Sequence, residues 1–261
     1  MTWWEGIILG IVQGLTEFLP VSSSGHLVVT EAVLGLRTPG VFVEVVLHVA
    51  TLIAVTIVYW RRIAQLLAGA WSRDRAAWNY IGLLVLASVP AGVIGVLFRD
   101  WFASTFDSLL IVGVDFLVTG TFLWSTRVAR SGAQAAPSAR GALAIGLAQG
   151  AAILPGISRS GATVTAGIWA GVDPVRAAEF SFLMAMPAIA GAAVLQVPEM
   201  AGGTAAIGPV PLALAFGAAL LSGIAAIRLL VRLLARRAFH RFAPYCWVLG
   251  VLTLAWVVFG A

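Results

Sequence analysis

Apolar runs of membrane-spanning length recur six times along the chain, at about 41–60, 79–98, 108–126, 173–197, 210–230 and 244–260. Roughly 20 predominantly apolar residues let a helix cross a bilayer, so each run is predicted as a transmembrane helix. Two further apolar stretches, 1–36 and 141–172, are broken in the middle by turn-forming residues. The breaks read Pro20-Val-Ser-Ser-Ser-Gly25 and Pro155-Gly-Ile-Ser-Arg-Ser-Gly161. The arm from Glu5 to Leu19 has 15 residues, roughly 22 Å of helix at 1.5 Å per residue. That falls short of the roughly 30 Å hydrocarbon core. The pattern therefore predicts an all-α polytopic membrane protein with six spans and two re-entrant helix–loop–helix hairpins.

The polar positions between the runs fix an orientation. All 16 basic residues are arginine. If each hairpin returns to its own side, one face carries Arg61, Arg62, Arg73, Arg75, Arg127, Arg130, Arg140, Arg176, Arg228, Arg232, Arg236, Arg237 and Arg241. The opposite face carries only Arg37 and Arg99, and Arg159 sits inside the second break. Cytoplasmic loops are enriched in basic residues, which puts both termini outside. Reading either broken stretch as a full crossing scrambles this alternation.

Composition narrows the class further. The chain is 61% hydrophobic and 10% charged, against about 25% charged residues in soluble domains, which excludes a water-exposed globule. The net charge of +5 lies between apolar runs and reads as topology and contact with bilayer lipids, not as a nucleic-acid surface. The run from Arg228 to Arg241 is expected to anchor anionic headgroups. The single cysteine, Cys246, excludes an internal disulfide and a thiolate metal cluster. The start, Met-Thr-Trp-Trp-Glu5, lacks the basic segment of a cleaved signal peptide.

The two broken stretches resemble each other. Gly10, Gln13, Gly14, Ser24 and Gly25 recur 136 positions later as Gly146, Gln149, Gly150, Ser160 and Gly161, with Pro20 and Pro155 one residue out of step. One hairpin enters from outside and the other from inside, so the chain reads as an inverted repeat. Repeat one covers about 1–126 and repeat two about 141–261. In such repeats broken helices meet near the midplane with their N-termini toward an anionic ligand. Irregular backbone at membrane depth persists only where protein or a wet cavity surrounds it, so the two breaks are expected to meet.

An ionisable side chain at that depth marks a functional site by default. The first hairpin supplies Glu17 and His26, and the second supplies Arg159. Gln13 and Glu17, four apart, share a helix face and offer oxygens to a hard divalent cation; a purely structural Glu17–Arg159 pair is the plainer alternative. Ser22, Ser23 and Ser24 put three hydroxyls at a helix start, one of them expected as an N-cap. Ser158, Arg159, Ser160 and Thr163, with the flanking Gly156 and Gly161, read as an oxyanion cradle, because an Arg fork matches phosphate oxygens. Three attackers are open: His26, Ser23, or a water activated by Glu17. An imidazole is a competent nucleophile near neutral pH, which favours His26. Glu44 and His48 are candidates for support around the site, Asp115 is a lone acid in a span, and Glu179 is a candidate for lining the same cavity.

The stretch from Gln13 to His26, Gln-Gly-Leu-Thr-Glu-Phe-Leu-Pro-Val-Ser-Ser-Ser-Gly-His, resembles the first signature of the bacterial undecaprenyl pyrophosphate phosphatases of the bacitracin-resistance type. Pro155 to Thr163 resembles the second, and the likeness continues through Phe42-Val-Glu-Val-Val, Trp60-Arg-Arg and Glu179-Phe-Ser-Phe-Leu. The resemblance implies hydrolysis of undecaprenyl diphosphate in a bacterial plasma (inner) membrane, with the active site open to the outer, periplasmic face. By position it implies Gln13 and Glu17 as an acidic, cation-binding motif, Ser23 and His26 as reactive groups, and Ser158, Arg159 and Thr163 as phosphate ligands. It also implies a divalent cation, Mg or Ca. With glutamine at position 13 only Glu17 brings a negative charge, so a cation arriving with the diphosphate is the expected form. A homodimer is left open. The rival reading is a prenyl-phosphate transporter or flippase, since the inverted repeat is a transporter device. Such a carrier needs Arg159 and helix N-termini but has no evident use for Glu17, His26 and a serine cluster.

Overall fold

The computed structural model describes residues 1–34, 41–106, 108–129, 132–200 and 208–259. Arg37 and Arg130, counted above, lie outside the described residues, as do the side chains of Phe42 and Glu44. Among the described residues the chain forms helices and no strand: α1 (Trp3–Phe18), α2 (Ser23–Leu34), α3 (Val41–Trp71), α4 (Arg75–Leu97), α5 (Arg99–Thr105) and α6 (Leu109–Ser125). The second half repeats the order with α7 (Ala139–Ala151), α8 (Arg159–Trp169), α9 (Pro174–Met200), α10 (Pro209–Ala235) and α11 (Ala243–Phe259), the last preceded by a single 3-10 turn.

Local chemistry sets the boundaries. Thr2 and Glu5 close a reciprocal capping box on α1, which satisfies two of the backbone N–H groups left open at any helix start. Asp74, Ser138 and Ser158 cap α4, α7 and α8 with their side-chain oxygens. Arg61 and Arg62, expected in a linker, lie inside α3, which runs on to Trp71. No helix breaker intervenes before Ser72-Arg73, and Leu66 in this extension is buried against Tyr80 and its neighbours.

Four stretches are long and apolar enough to cross a membrane: Val45–Trp71, Arg75–Leu97, Pro209–Ala235 and Phe239–Phe259. A fifth is added if the bent pair α5–α6 counts as one span. This is a multi-pass helical membrane protein. All six expected runs fall on helices, α3, α4, α6, α9, α10 and α11, and both expected hairpins fall on helix–break–helix units, α1–α2 and α7–α8. Large apolar side chains such as Ile57, Val85, Val96, Leu221 and Val251 stay exposed, as lipid-facing positions do.

The two short-armed units are wedged in by glycine. On α1, Gly6, Gly10 and Gly14 form a stripe against α10, where added Cβ atoms would overlap the carbonyl oxygens of Pro211, Ala215 and Ala219. On α7, Gly146 and Gly150 do the same against α4, at the carbonyl of Ala87 and the side chain of Ile94. The partners are exchanged: the first arm of each half packs on the fourth helix of the other. Helices in lipid associate by close packing of small residues, since the tails offer no hydrophobic drive. Phe18, fully buried, meets Phe182 of α9 edge-on at 5.5 Å and pins the end of α1, next to Glu17.

Gly14→Val is expected to lower the thermal unfolding midpoint of the detergent-purified protein, as overpacking costs about 1–3 kcal/mol. Gly82→Ala, where a Cβ meets nothing within 4 Å, should leave it unchanged or slightly raised. A Gly14→Val protein as stable as wild type contradicts this packing.

Candidate active site

Each short-armed unit breaks at a residue with positive φ: Ser22 (68°) in the first and Gly156 (104°) in the second. A helix cannot pass through that conformation, so α2 and α8 restart one and three residues later, at Ser23 and Arg159. The breaks meet. Ser22 Oγ accepts from the Gly156 N–H (3.1 Å) and the Gly25 N–H (3.3 Å), and Ser160 Oγ donates to the Leu19 carbonyl (3.1 Å). Thr119 on α6 clamps the second break, donating to the Gly156 carbonyl (2.8 Å) and accepting from the Ser158 N–H (3.0 Å). A Cβ on Gly25 would lie 3.0 Å from Gly156 Cα, so the backbones touch where only glycine fits.

Glu17 is the hub. Its carboxylate accepts a short hydrogen bond from Arg159 across the two breaks, one from Ser23 Oγ (2.7 Å) and one from Gln13 Nε2 (3.0 Å). His48 Nε2 stands 3.9 Å away on α3. The acid is only 6% exposed, and an isolated charge so buried costs several kcal/mol; the guanidinium and two neutral donors offset it. Arg159 keeps 16% of its side chain exposed.

The hydroxyls divide by what they already hold. Ser22, Ser158, Ser160 and Thr163 are buried to 3% exposure or less. Ser158 caps α8, and Thr163 donates to the Arg159 carbonyl (2.7 Å) and pairs with Ser181 of α9 (2.6 Å). The hydroxyls of the expected phosphate cradle thus also have protein partners: Thr163 joins the α8–α9 contact, and Ser22, Ser158 and Ser160 bond across and within the breaks. Ser23 and Ser24 remain half-buried, Ser23 on Glu17 and Ser24 with its hydroxyl 3.4 Å from Ser22 Oγ.

His26 is held on both nitrogens. Nδ1 lies 2.7 Å from the Ser22 carbonyl, which can only accept, so Nδ1 carries the proton. Nε2 then accepts from Tyr245 O–H at 2.7 Å, with the rings stacked at 5.7 Å. The favoured attacker has its lone pair engaged, whereas Ser23 points its proton at a carboxylate. Tyr245 and Thr119 escaped the sequence reading because each lies in an apolar span far along the chain from the breaks it contacts, with no local motif around it. Asp115 lies beneath the second break, its Cβ 2.7 Å from where a Gly156 Cβ would stand. Glu179 turns away to Arg62 (2.9 Å), Arg176 (3.1 Å) and Tyr80 (3.5 Å), and so does not line this site.

A resident metal fits poorly here. Among the described residues no three His, Cys, Asp or Glu side chains cluster as ligands. Gln13 Oε1 is buried without a partner, but its one acidic neighbour is already balanced by Arg159. One free oxygen suits a cation carried in by an anionic substrate better than a protein-held ion.

Residues 6–252 match the family described as bacitracin resistance protein BacA. The chain is 43% identical over 264 residues to an undecaprenyl-diphosphatase of Syntrophotalea carbinolica, covering 98% of this chain and 99% of the relative. It is 41% identical over 271 residues to an undecaprenyl-diphosphatase of Desulfosudis oleivorans, with 97% of each covered. A protein of that name from Bacteroides fragilis is 37% identical over 260 residues, 97% of this chain and 98% of the relative.

Proposed function

The chain belongs to the bacitracin resistance protein BacA family, and we infer from that premise how its paired breaks perform the family's reaction. It is an undecaprenyl-diphosphatase: it hydrolyses undecaprenyl diphosphate to undecaprenyl phosphate and inorganic phosphate. The relatives' names carry the hydrolase reading, and none of those cited is named a transporter. The observation that carries the mechanism is that Ser23 and Arg159, from opposite breaks, share the Glu17 carboxylate.

Substrate diphosphate competes for Arg159, whose fork matches two phosphate oxygens better than one buried carboxylate. Glu17, losing its cationic partner, becomes the stronger base and takes the Ser23 proton. Ser23 Oγ bonds to the terminal phosphorus while the bond from that phosphorus to the bridging oxygen breaks, and the electron pair leaves with undecaprenyl phosphate. Glu17 passes the Ser23 proton to the departing undecaprenyl phosphate. Water then attacks the phosphoserine, giving a proton to Glu17, which returns it to Ser23 Oγ as the bond from Ser23 to phosphorus breaks and inorganic phosphate departs. The transition state is loose, with charge spread over the phosphoryl oxygens. Arg159 and the N-termini of α2 and α8 meet that charge. His26 and Tyr245 fix each other at the edge of the site. A divalent cation, Mg or Ca, brought by the diphosphate would be held on the protein side by Gln13 Oε1, a buried oxygen with no hydrogen-bond partner, and would supply further neutralisation of phosphate charge.

In the membrane, α3, α4, α6, α9, α10 and α11 cross, and the α1–α2 and α7–α8 units are re-entrant hairpins of an inverted repeat. The arginine distribution supports termini and substrate entrance on the outer face of the inner membrane. The exchanged packing of α1 on α10 and α7 on α4 is what a pseudo-twofold axis requires.

Phosphate release by the purified protein in detergent micelles tests the chemistry. Arg159→Ala should lose about 10²–10³-fold in kcat, and Arg159→Lys should recover part of it. Ser23→Ala should lose on the order of 10³-fold or more, and His26→Ala less than about 10²-fold. A Ser23→Ala enzyme that outperforms His26→Ala overturns Ser23 as the attacker.

Topology is tested with single cysteines in a Cys246→Ser background. Ser104→Cys should react with an impermeant thiol reagent on intact cells, and Ser72→Cys and Ser138→Cys only after permeabilisation. The reverse pattern contradicts the orientation.

A further inference from the structure

Glu17 is held differently on its two oxygens. Oε1 takes the Arg159 guanidinium, whereas Oε2 accepts from Ser23 Oγ (2.7 Å) and Gln13 Nε2 (3.0 Å). Of these donors only the guanidinium carries charge. The reaction above moves it to the diphosphate, which would leave a carboxylate 6% exposed with neutral donors alone. A buried charge stripped of its partner is strongly destabilising, so withdrawing Arg159 works against substrate binding unless another group moves in. Ser23 and Gln13 are already at hydrogen-bond distance and have little more to give. His48 Nε2 stands 3.9 Å from Oε2, about 1 Å beyond a hydrogen bond. It comes from α3, a helix that belongs to neither break. Leu47 and Ala50, beside it in the chain, sit in one buried cluster with Leu9 of α1 and Ala215 and Ala219 of α10, which fixes this turn of α3. The imidazole itself is not sealed: its side chain is 36% exposed, against 5% for Glu17.

We propose that His48 is a positioning residue that takes over from Arg159 on Glu17 as the diphosphate binds, donating Nε2–H to Oε2. This rests on the reading above, in which the diphosphate draws Arg159 off, but not on which group attacks phosphorus. A carboxylate can only accept, so the nitrogen facing it carries the proton. A rotation of the half-exposed ring closes the gap without moving α3. The exchange keeps the buried charge compensated while Arg159 is on the substrate. The bond forms in the substrate complex and weakens once Glu17 takes a proton. Its loss therefore weakens binding of the diphosphate more than it slows the chemistry.

Binding of the methylene-bridged analogue of undecaprenyl diphosphate, which resists hydrolysis, tests the role by isothermal titration calorimetry on the full-length protein in detergent. His48→Leu should bind it about tenfold more weakly than wild type, the effect of losing a hydrogen bond to a charged group. His48→Gln, which returns an N–H donor, should recover to within about threefold of wild type. In Glu17→Gln protein there is no charge to compensate, and adding His48→Leu should change affinity less than about twofold. A direct contact between His48 and phosphate instead weakens binding equally in both backgrounds, and a merely structural role lowers the thermal midpoint in both. If His48→Leu fails to fold, His48→Ala takes its place. Wild-type affinity in His48→Leu, a His48→Gln protein as weak as His48→Leu, or an equal loss in the Glu17→Gln background overturns the proposal. The attacking group is judged separately by Ser23→Ala turnover, and these affinities hold whichever group attacks.

Discussion

The ion pair between Glu17 and Arg159 joins two pieces of chain 142 residues apart, and the rest of the site is arranged around it. Neither break is a stable membrane structure alone. Each leaves backbone groups open in the buried interior, where an unsatisfied group costs about 1–3 kcal/mol. They satisfy each other instead, through Ser22 to Gly156 and Ser160 to Leu19, and Thr119 closes the remainder. A buried pair seldom stabilises more than well-packed apolar residues would. Its place at the junction of the breaks fits the proposed function, in which a diphosphate would draw Arg159 away from Glu17.

Glycine makes this arrangement reachable. The stripes on α1 and α7 let two short helices press against α10 and α4 at backbone distance, where each arm is too short to span by itself. Close seating fixes Gln13 and Glu17 on the inner face of α1 and presents Ser23 and Arg159 at the starts of α2 and α8. Convergent helix N-termini favour negative charge, and both are in place before substrate arrives.

Much of this was legible in the sequence, for identifiable reasons. Charged residues in apolar stretches are expensive, so Glu17, His26 and Arg159 stood out, and the helical spacing of Gln13 and Glu17 put them on one face. The breaks announced themselves through Pro, Gly and Ser. Hydroxyls were harder, because a serine beside a turn reads equally as ligand or cap. In the fold Thr163, Ser158 and Ser160 bond to backbone and neighbouring hydroxyls whereas Ser23 bonds to Glu17, a distinction no local pattern carries. Tyr245 is 219 residues from His26, and no local pattern announces such a partner. Glu179 shares a helix with Ser181, near the site, yet two residues turn a helix by about 200°, and it faces Arg62 instead.

The central claim is that Ser23, with Glu17 as base and Arg159 as phosphate clamp, forms a covalent phosphoryl intermediate. The most direct measurement is peptide mapping of the full-length enzyme quenched during a single turnover of undecaprenyl diphosphate. Quenching in both acid and alkali matters, because phosphohistidine survives only the latter. The account predicts phosphate on Ser23 at early times, decaying as inorganic phosphate appears. Phosphate on His26, or turnover with no phosphorylated peptide under either quench, would contradict it.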